Sequence, residues 1–74
     1  MFKELFESYQ STLKVKDTNM FLTYPRDMVQ DIEDMYGDVI EDYDIKNKTI
    51  TITYKPDTKP QIIQKVDKYI LSLN

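Results

Sequence analysis

The chain contains no cysteine, no histidine and a single glycine. Without Cys there is no disulfide framework and no thiolate zinc site, and without His the commonest general base and the commonest transition-metal ligand are both missing. Most small-enzyme chemistries go with them, so the expectation is a protein that is not an enzyme and carries no cofactor. No stretch approaches the roughly 18 apolar residues of a membrane span, and no basic segment followed by a long apolar run opens the chain. The expectation is a soluble, cytoplasmic protein with no membrane partner.

What is present fits one small α+β domain spanning residues 1–74. An apolar fraction of 41% and nine aromatic residues, six of them Tyr, are too many for a disordered chain. At 74 residues, without disulfides, the core is close to the smallest that folds alone, and stability is expected to be marginal. The net charge of −3 hides a division along the chain. Residues 26–45 set Arg26 against Asp27, Asp31, Glu33, Asp34, Asp38, Glu41, Asp42 and Asp44, a net of −7, while the remainder is +4. An asymmetry of this kind concerns partners and solubility more than fold.

Phe2, Leu5, Phe6, Tyr9 and Leu13 recur at spacings of three and four and predict an amphipathic helix over 2–13. The apolar run Met20–Leu22 reads as a brief strand, over about residues 20–24, or as a packed loop. Pro25 suits the first turn of a second helix, with Thr23 or Tyr24 at its boundary and Met28, Val29, Ile32, Met35 and Tyr36 on its buried face. Gly37 is expected to end it as a left-handed cap. VIEDYDI and TITITYK predict a hairpin turning at Asn47 and Lys48, pairing Ile45 with Ile50, Tyr43 with Ile52 and Glu41 with Tyr54. Thr58-Lys59-Pro60-Gln61 resembles a capping box and announces a last helix carrying Ile62, Ile63, Val66, Tyr69, Ile70 and Leu73. The expected order is α-(β)-α-β-β-α, with helices packed on one face of a short antiparallel sheet.

On the second helix Asp27, Asp31, Asp34 and Asp38 fall within about 60° of one another, opposite the apolar stripe, and make an acidic ridge. Asp42 and Asp44 should project from the solvent face of the hairpin beside it, flanked by Glu33 and Glu41. Most charged faces are simply solvated, but those mix signs. Here three consecutive like-charged neighbours cost about 0.2–0.5 kcal/mol each, and the helix dipole opposes Asp34 and Asp38. A marginal domain that tolerates such terms is expected to keep the charges for a partner.

Direct nucleic-acid binding through this face is excluded, because phosphates demand Lys and Arg. The complementary expectation is a larger protein with a basic surface, including one whose groove ordinarily holds nucleic acid. Acids three or four residues apart are spaced along the helix roughly as phosphates are along a strand, which makes the ridge a candidate DNA mimic. Small acidic inhibitors encoded by phages and mobile elements use that surface chemistry, and an acidic antitoxin covering a basic toxin would look the same.

Other constellations are weaker. Asp42-Tyr43-Asp44 with Asn47 lacks the third oxygen ligand, the Gly and the distal Glu of a calcium loop. Carboxylate pairs on convex elements offer no pocket to split their pKa values, and Ser8, Ser11 and Ser72 have no His to activate them. Arg26 suits a helix-start ion pair with Asp27, and Lys46, Lys48, Lys59, Lys65 and Lys68 are dispersed as solubilising residues usually are. Phe2, Phe6 and Tyr9 serve the core or a homodimer interface. The leading expectation is a stoichiometric inhibitor or modulator whose partner-binding residues are Asp27, Asp31, Glu33, Asp34, Asp38, Glu41, Asp42, Tyr43 and Asp44, with no metal site. The alternative is a structural or regulatory interaction module acting through its apolar helices, such as a homodimer or a phage assembly accessory.

Overall fold

Alternation of Thr49, Thr51 and Thr53 with Ile50, Ile52 and Tyr54 places β3 (Thr49–Tyr54) at the centre of the protein, its three large side chains fully buried on one face. The computed structural model describes residues 9–74. In it β3 pairs antiparallel with β1 (Gln10–Lys14) on one side and β2 (Ile40–Lys46) on the other, giving a sheet of order β1-β3-β2. Three helices accompany it: α1 (Met20–Thr23), α2 (Pro25–Tyr36) and α3 (Pro60–Ser72). The protein is an α+β domain with its helices on one side of the antiparallel sheet. Phe21, Ile32, Ile50, Ile52, Tyr54, Val66 and Ile70 form the solvent-free centre between them.

The third strand comes from a different part of the chain than expected. Residues 10–14 are strand where a helix was predicted, while Phe2, Leu5 and Phe6 lie outside the described residues. Tyr9, Ser11, Leu13 and Val15 occupy the core-facing positions at period two, and Ser11 breaks the apolar reading of that pattern. Ser11 is nonetheless buried, on the core face beside the phenol of Tyr54. Residues 20–23, in turn, are helix and not strand, because Asn19 caps them: its side chain accepts from the Phe21 N–H.

The hairpin turns at Asn47 and Lys48, both at positive φ (51° and 62°), as a two-residue turn of matching twist requires. Tyr43 faces Ile52 and Ile45 faces Ile50 as expected, but Tyr54 faces Ile40 and not Glu41. A bulge between Ile40 and Asp42 accounts for the change. An unbroken register would turn Glu41 into the core and Ile40 into water. The extra residue instead leaves Ile40 buried and Glu41 exposed.

Three helix details also differ. Gly37 follows α2 at φ 95° and ψ −177°, a region open essentially to Gly alone but distinct from the left-handed cap expected. Its N–H still closes the helix on the Glu33 carbonyl at 2.8 Å. Met35, expected on the buried face, is half exposed. Lys59, not Thr58, stands at the N-cap position of α3, without a side-chain cap bond, and the Thr58 hydroxyl donates to the Val39 carbonyl at 3.4 Å, tying the start of α3 to the entry of β2.

Candidate functional site

The acids are placed by three local structures. On α2, Asp27, Asp31 and Asp34 lie on the exposed side, opposite Ile32. Asp38 lies beyond Gly37, past the last turn, so the helix itself carries three ridge acids and the dipole acts against Asp34 alone of the pair. On β2 the bulge turns Glu41 and Asp42 to the same outer side, with Asp44 following at period two. Tyr43 points the other way, its ring edge-on to Phe21 with centroids 5.7 Å apart.

The layers do not bring all these residues onto one flat surface. Asp67 of α3 accepts from the Tyr54 hydroxyl beside Ser11, which sets α3 over β1. The Tyr69 hydroxyl reaches Met28 Sδ at 3.7 Å and Asp31 Oδ2 at 3.3 Å, which sets α2 beside α3 and so over β2. Glu33, on the flank of α2 away from α3, shares the field of Lys55 with Asp38 and Glu41. The acids therefore run as a curved band: over the top of α2, around the β2 edge, and onto the outer sheet face at Asp42 and Asp44. Tyr43 lies on the inner side of that edge, and Glu33 is half buried.

Little basic charge answers them. Among the described residues one ion pair touches the band, Lys55 Nζ to Asp38 Oδ2 at 2.6 Å. The hydrogen bond to Asp38 holds the Lys55 ammonium above its ordinary pKa; desolvation opposes it, and the charges of Asp38, Glu41 and Glu33 add to it. The other pair among the described residues is Lys48–Asp17 at 3.3 Å, which involves none of the band's acids, and Arg26 forms none with them. Asp34 accepts from Gln30 Nε2 at 3.1 Å. Asp42 Oδ1 accepts from the Tyr43 N–H at 2.8 Å, a main-chain group that points off the sheet edge.

Among the described residues no group of three His, Cys, Asp or Glu residues is arranged to hold a metal ion, and no helix is long and apolar enough to cross a membrane. The residue that sequence reasoning passed over is Asn19, fully buried and bonded to Phe21, Ile70 and Asn74. Its signal was an Asn directly before the apolar run Met20–Leu22. No family model matches the chain, and no curated protein or solved structure is significantly similar to it.

Proposed function

We propose that this protein is a small, non-enzymatic, stoichiometric binding protein that presents its acidic band to a basic site on a larger protein and blocks or modulates that site. The supporting observation is the band itself: residues 26–45 carry a net of −7, and among the described residues a single lysine, Lys55, pairs with them. Because the band curves around the β2 edge, the partner it suits is concave, a basic cleft that takes in an edge. A cleft that ordinarily holds nucleic acid fits this description, with the carboxylates standing in for phosphates.

The test is capture of partners on immobilised protein, in parallel with Asp27→Lys/Asp31→Lys/Asp34→Lys and Asp42→Lys/Asp44→Lys variants. Three lysines at these spacings repel one another about as three aspartates do, so circular dichroism and thermal unfolding of each variant separate a lost interaction from lost folding. The expected result is a basic protein held by the parent, released by salt, absent from both variants and unable to bind nucleic acid while held. A partner retained equally by the reversed variants refutes the reading.

A further inference from the structure

The two edges of the sheet are finished differently. At β2 the Glu41 bulge breaks the edge, Asp42 covers the outward Tyr43 N–H, and Glu41, Asp42 and Asp44 add repulsive charge. These are the devices by which an edge strand refuses further pairing. β1 has neither bulge nor proline and carries one charge, Lys14. The bonds from Tyr54 N–H to the Tyr9 carbonyl and from Val15 N–H to the Lys48 carbonyl show that odd-numbered residues of this strand face β3. The N–H and C=O groups of Gln10, Thr12 and Lys14 therefore point away from β3, and among the described residues no strand meets them.

We infer that β1 is the surface on which a second copy of this chain docks, antiparallel, about a two-fold axis at Thr12, joining the two sheets into one. The register is self-complementary. Gln10 meets Lys14 of the second copy and Thr12 meets its own counterpart, and these are the residues whose backbone groups point away from β3, so each pair exchanges both main-chain bonds. On the outer face the lysines meet glutamines and not each other, and Thr opposite Thr is a favourable pair. On the inner face the register sets Tyr9, 53% exposed, opposite Val15 of the second copy, which is itself mostly buried in its own core. Leu71, 41% exposed and one helical turn after Asp67 on the flank of α3 that lies toward β1, falls on the same side. A pairing shifted by one residue would oppose backbone groups turned toward β3 to groups turned away from it and is excluded.

Sedimentation equilibrium on the full chain, from micromolar to millimolar protein, tests this. The parent should show a monomer–dimer equilibrium. Thr12→Glu sets two carboxylates opposite each other across the axis on exposed positions and should raise the dissociation constant ~5-fold or more. Thr12→Pro removes the outward N–H without touching the bonds to β3 and should raise it ~10-fold or more. Gln10→Glu faces Lys14 with an opposite charge and should tighten the dimer ~2–5-fold. Amide exchange at Gln10, Thr12 and Lys14 should slow with rising protein concentration in the parent and not in Thr12→Glu. A parent that stays monomeric to millimolar concentration overturns the inference, as does a dimer indifferent to both Thr12 changes. So does a monomer whose β1 amides are protected only by an added extended peptide.

Discussion

Replacing Asn19 should remove a large part of the stability of this domain. The side chain is fully buried, donates from Nδ2 to the Ile70 carbonyl at 2.8 Å and to Asn74 Oδ1 at 2.7 Å, and accepts from Phe21 N–H at 2.8 Å. It thus caps the start of α1 and closes the end of α3 in one stroke. In Asn19→Ala the Ile70 carbonyl keeps the Leu73 N–H, and Asn74 Oδ1 keeps the Lys16 N–H, so the orphan is the buried Phe21 N–H. An unsatisfied buried donor costs about 1–3 kcal/mol and a lost cap typically about 1 kcal/mol, overlapping terms that together give about 2–4 kcal/mol. Native domains hold only about 0.05–0.15 kcal/mol per residue, so the loss approaches half of the total.

Asn19→Asp separates hydrogen bonding from volume. The shape is unchanged and the Phe21 N–H is still accepted, but a carboxylate oxygen now faces two acceptors, which at neutral pH should cost about 3–5 kcal/mol. Burial and the loss of donors raise the new carboxyl above its unfolded value. The stability it allows is therefore present below the unfolded pKa, about 3.9, and lost as pH rises through the folded value. Urea unfolding followed by circular dichroism at fixed protein concentration reads both effects. With a slope of about 1 kcal/mol per molar for so small a domain, Asn19→Ala should lower the midpoint by about 2 M or more. Losses under about 0.5 kcal/mol in both variants, or an Asp variant no better placed relative to the parent at acid pH, would refute the reasoning.

Two further outcomes are expected. Gly37→Ala meets no atom within 4 Å of its new Cβ, so its penalty comes from the backbone at φ 95° and ψ −177° alone, about 1–3 kcal/mol; a thermal scan should show a drop of roughly 5–15 °C, and an unchanged midpoint would contradict the Gly-only geometry. Burial raises the Tyr54 phenol well above its ordinary pKa, the charge and hydrogen bond of Asp67 reinforcing the shift and the Ser11 hydroxyl opposing it. The unfolded chain then releases this proton near pH 10 while the folded chain keeps it, so stability present below pH 10 falls above it, by about 1.4 kcal/mol per pH unit for this group. Tyr69 and Lys55 are raised too and act in the same direction. Tyr54→Phe should lose about 0.5–1.5 kcal/mol at pH 7 yet flatten the alkaline decline; parallel denaturation curves for parent and variant from pH 9 to about 12 would count against the assignment.

Elements whose periodicity and end signals agree were legible in the sequence: Pro25 and Gly37 bracket α2, the Thr/Ile alternation defines β3, and Pro60 opens α3. Those where a polar residue holds a core position were not. Ser11 sits among Tyr9, Leu13 and Val15, and since its place on the core face is set by pairing with the distant β3, nothing in residues 9–15 alone favours a strand over a helix. The bulge at Glu41 was hidden for the same reason, because it depends on which of Ile40 and Glu41 the fully buried Tyr54 selects across the ladder. The acids were easy to find and hard to place. Their spacing put four on one ridge, whereas the early end of α2 and the extra residue in β2 spread them round an edge.

That spread changes what each acid must explain. Glu41, Asp42 and Asp44 have a use within the fold, since a bulged, charged edge with its N–H covered by Asp42 does not recruit further strands. Asp27, Asp31 and Asp34 guard no edge, and two successive like-charged spacings on α2 cost about 0.2–0.5 kcal/mol each in a domain with little to spare. The case for a partner therefore rests more heavily on α2 than on the hairpin, and reversing the helix acids alone is the sharper experiment. The sheet order makes the two proposals compatible. With β1 at one edge and β2 at the other, copies joined through β1 would carry their acidic bands at opposite ends, free and far apart. One dimer would then engage two basic clefts, and loss of the dimer through Thr12→Glu should weaken capture by a multivalent partner while leaving each single contact unchanged.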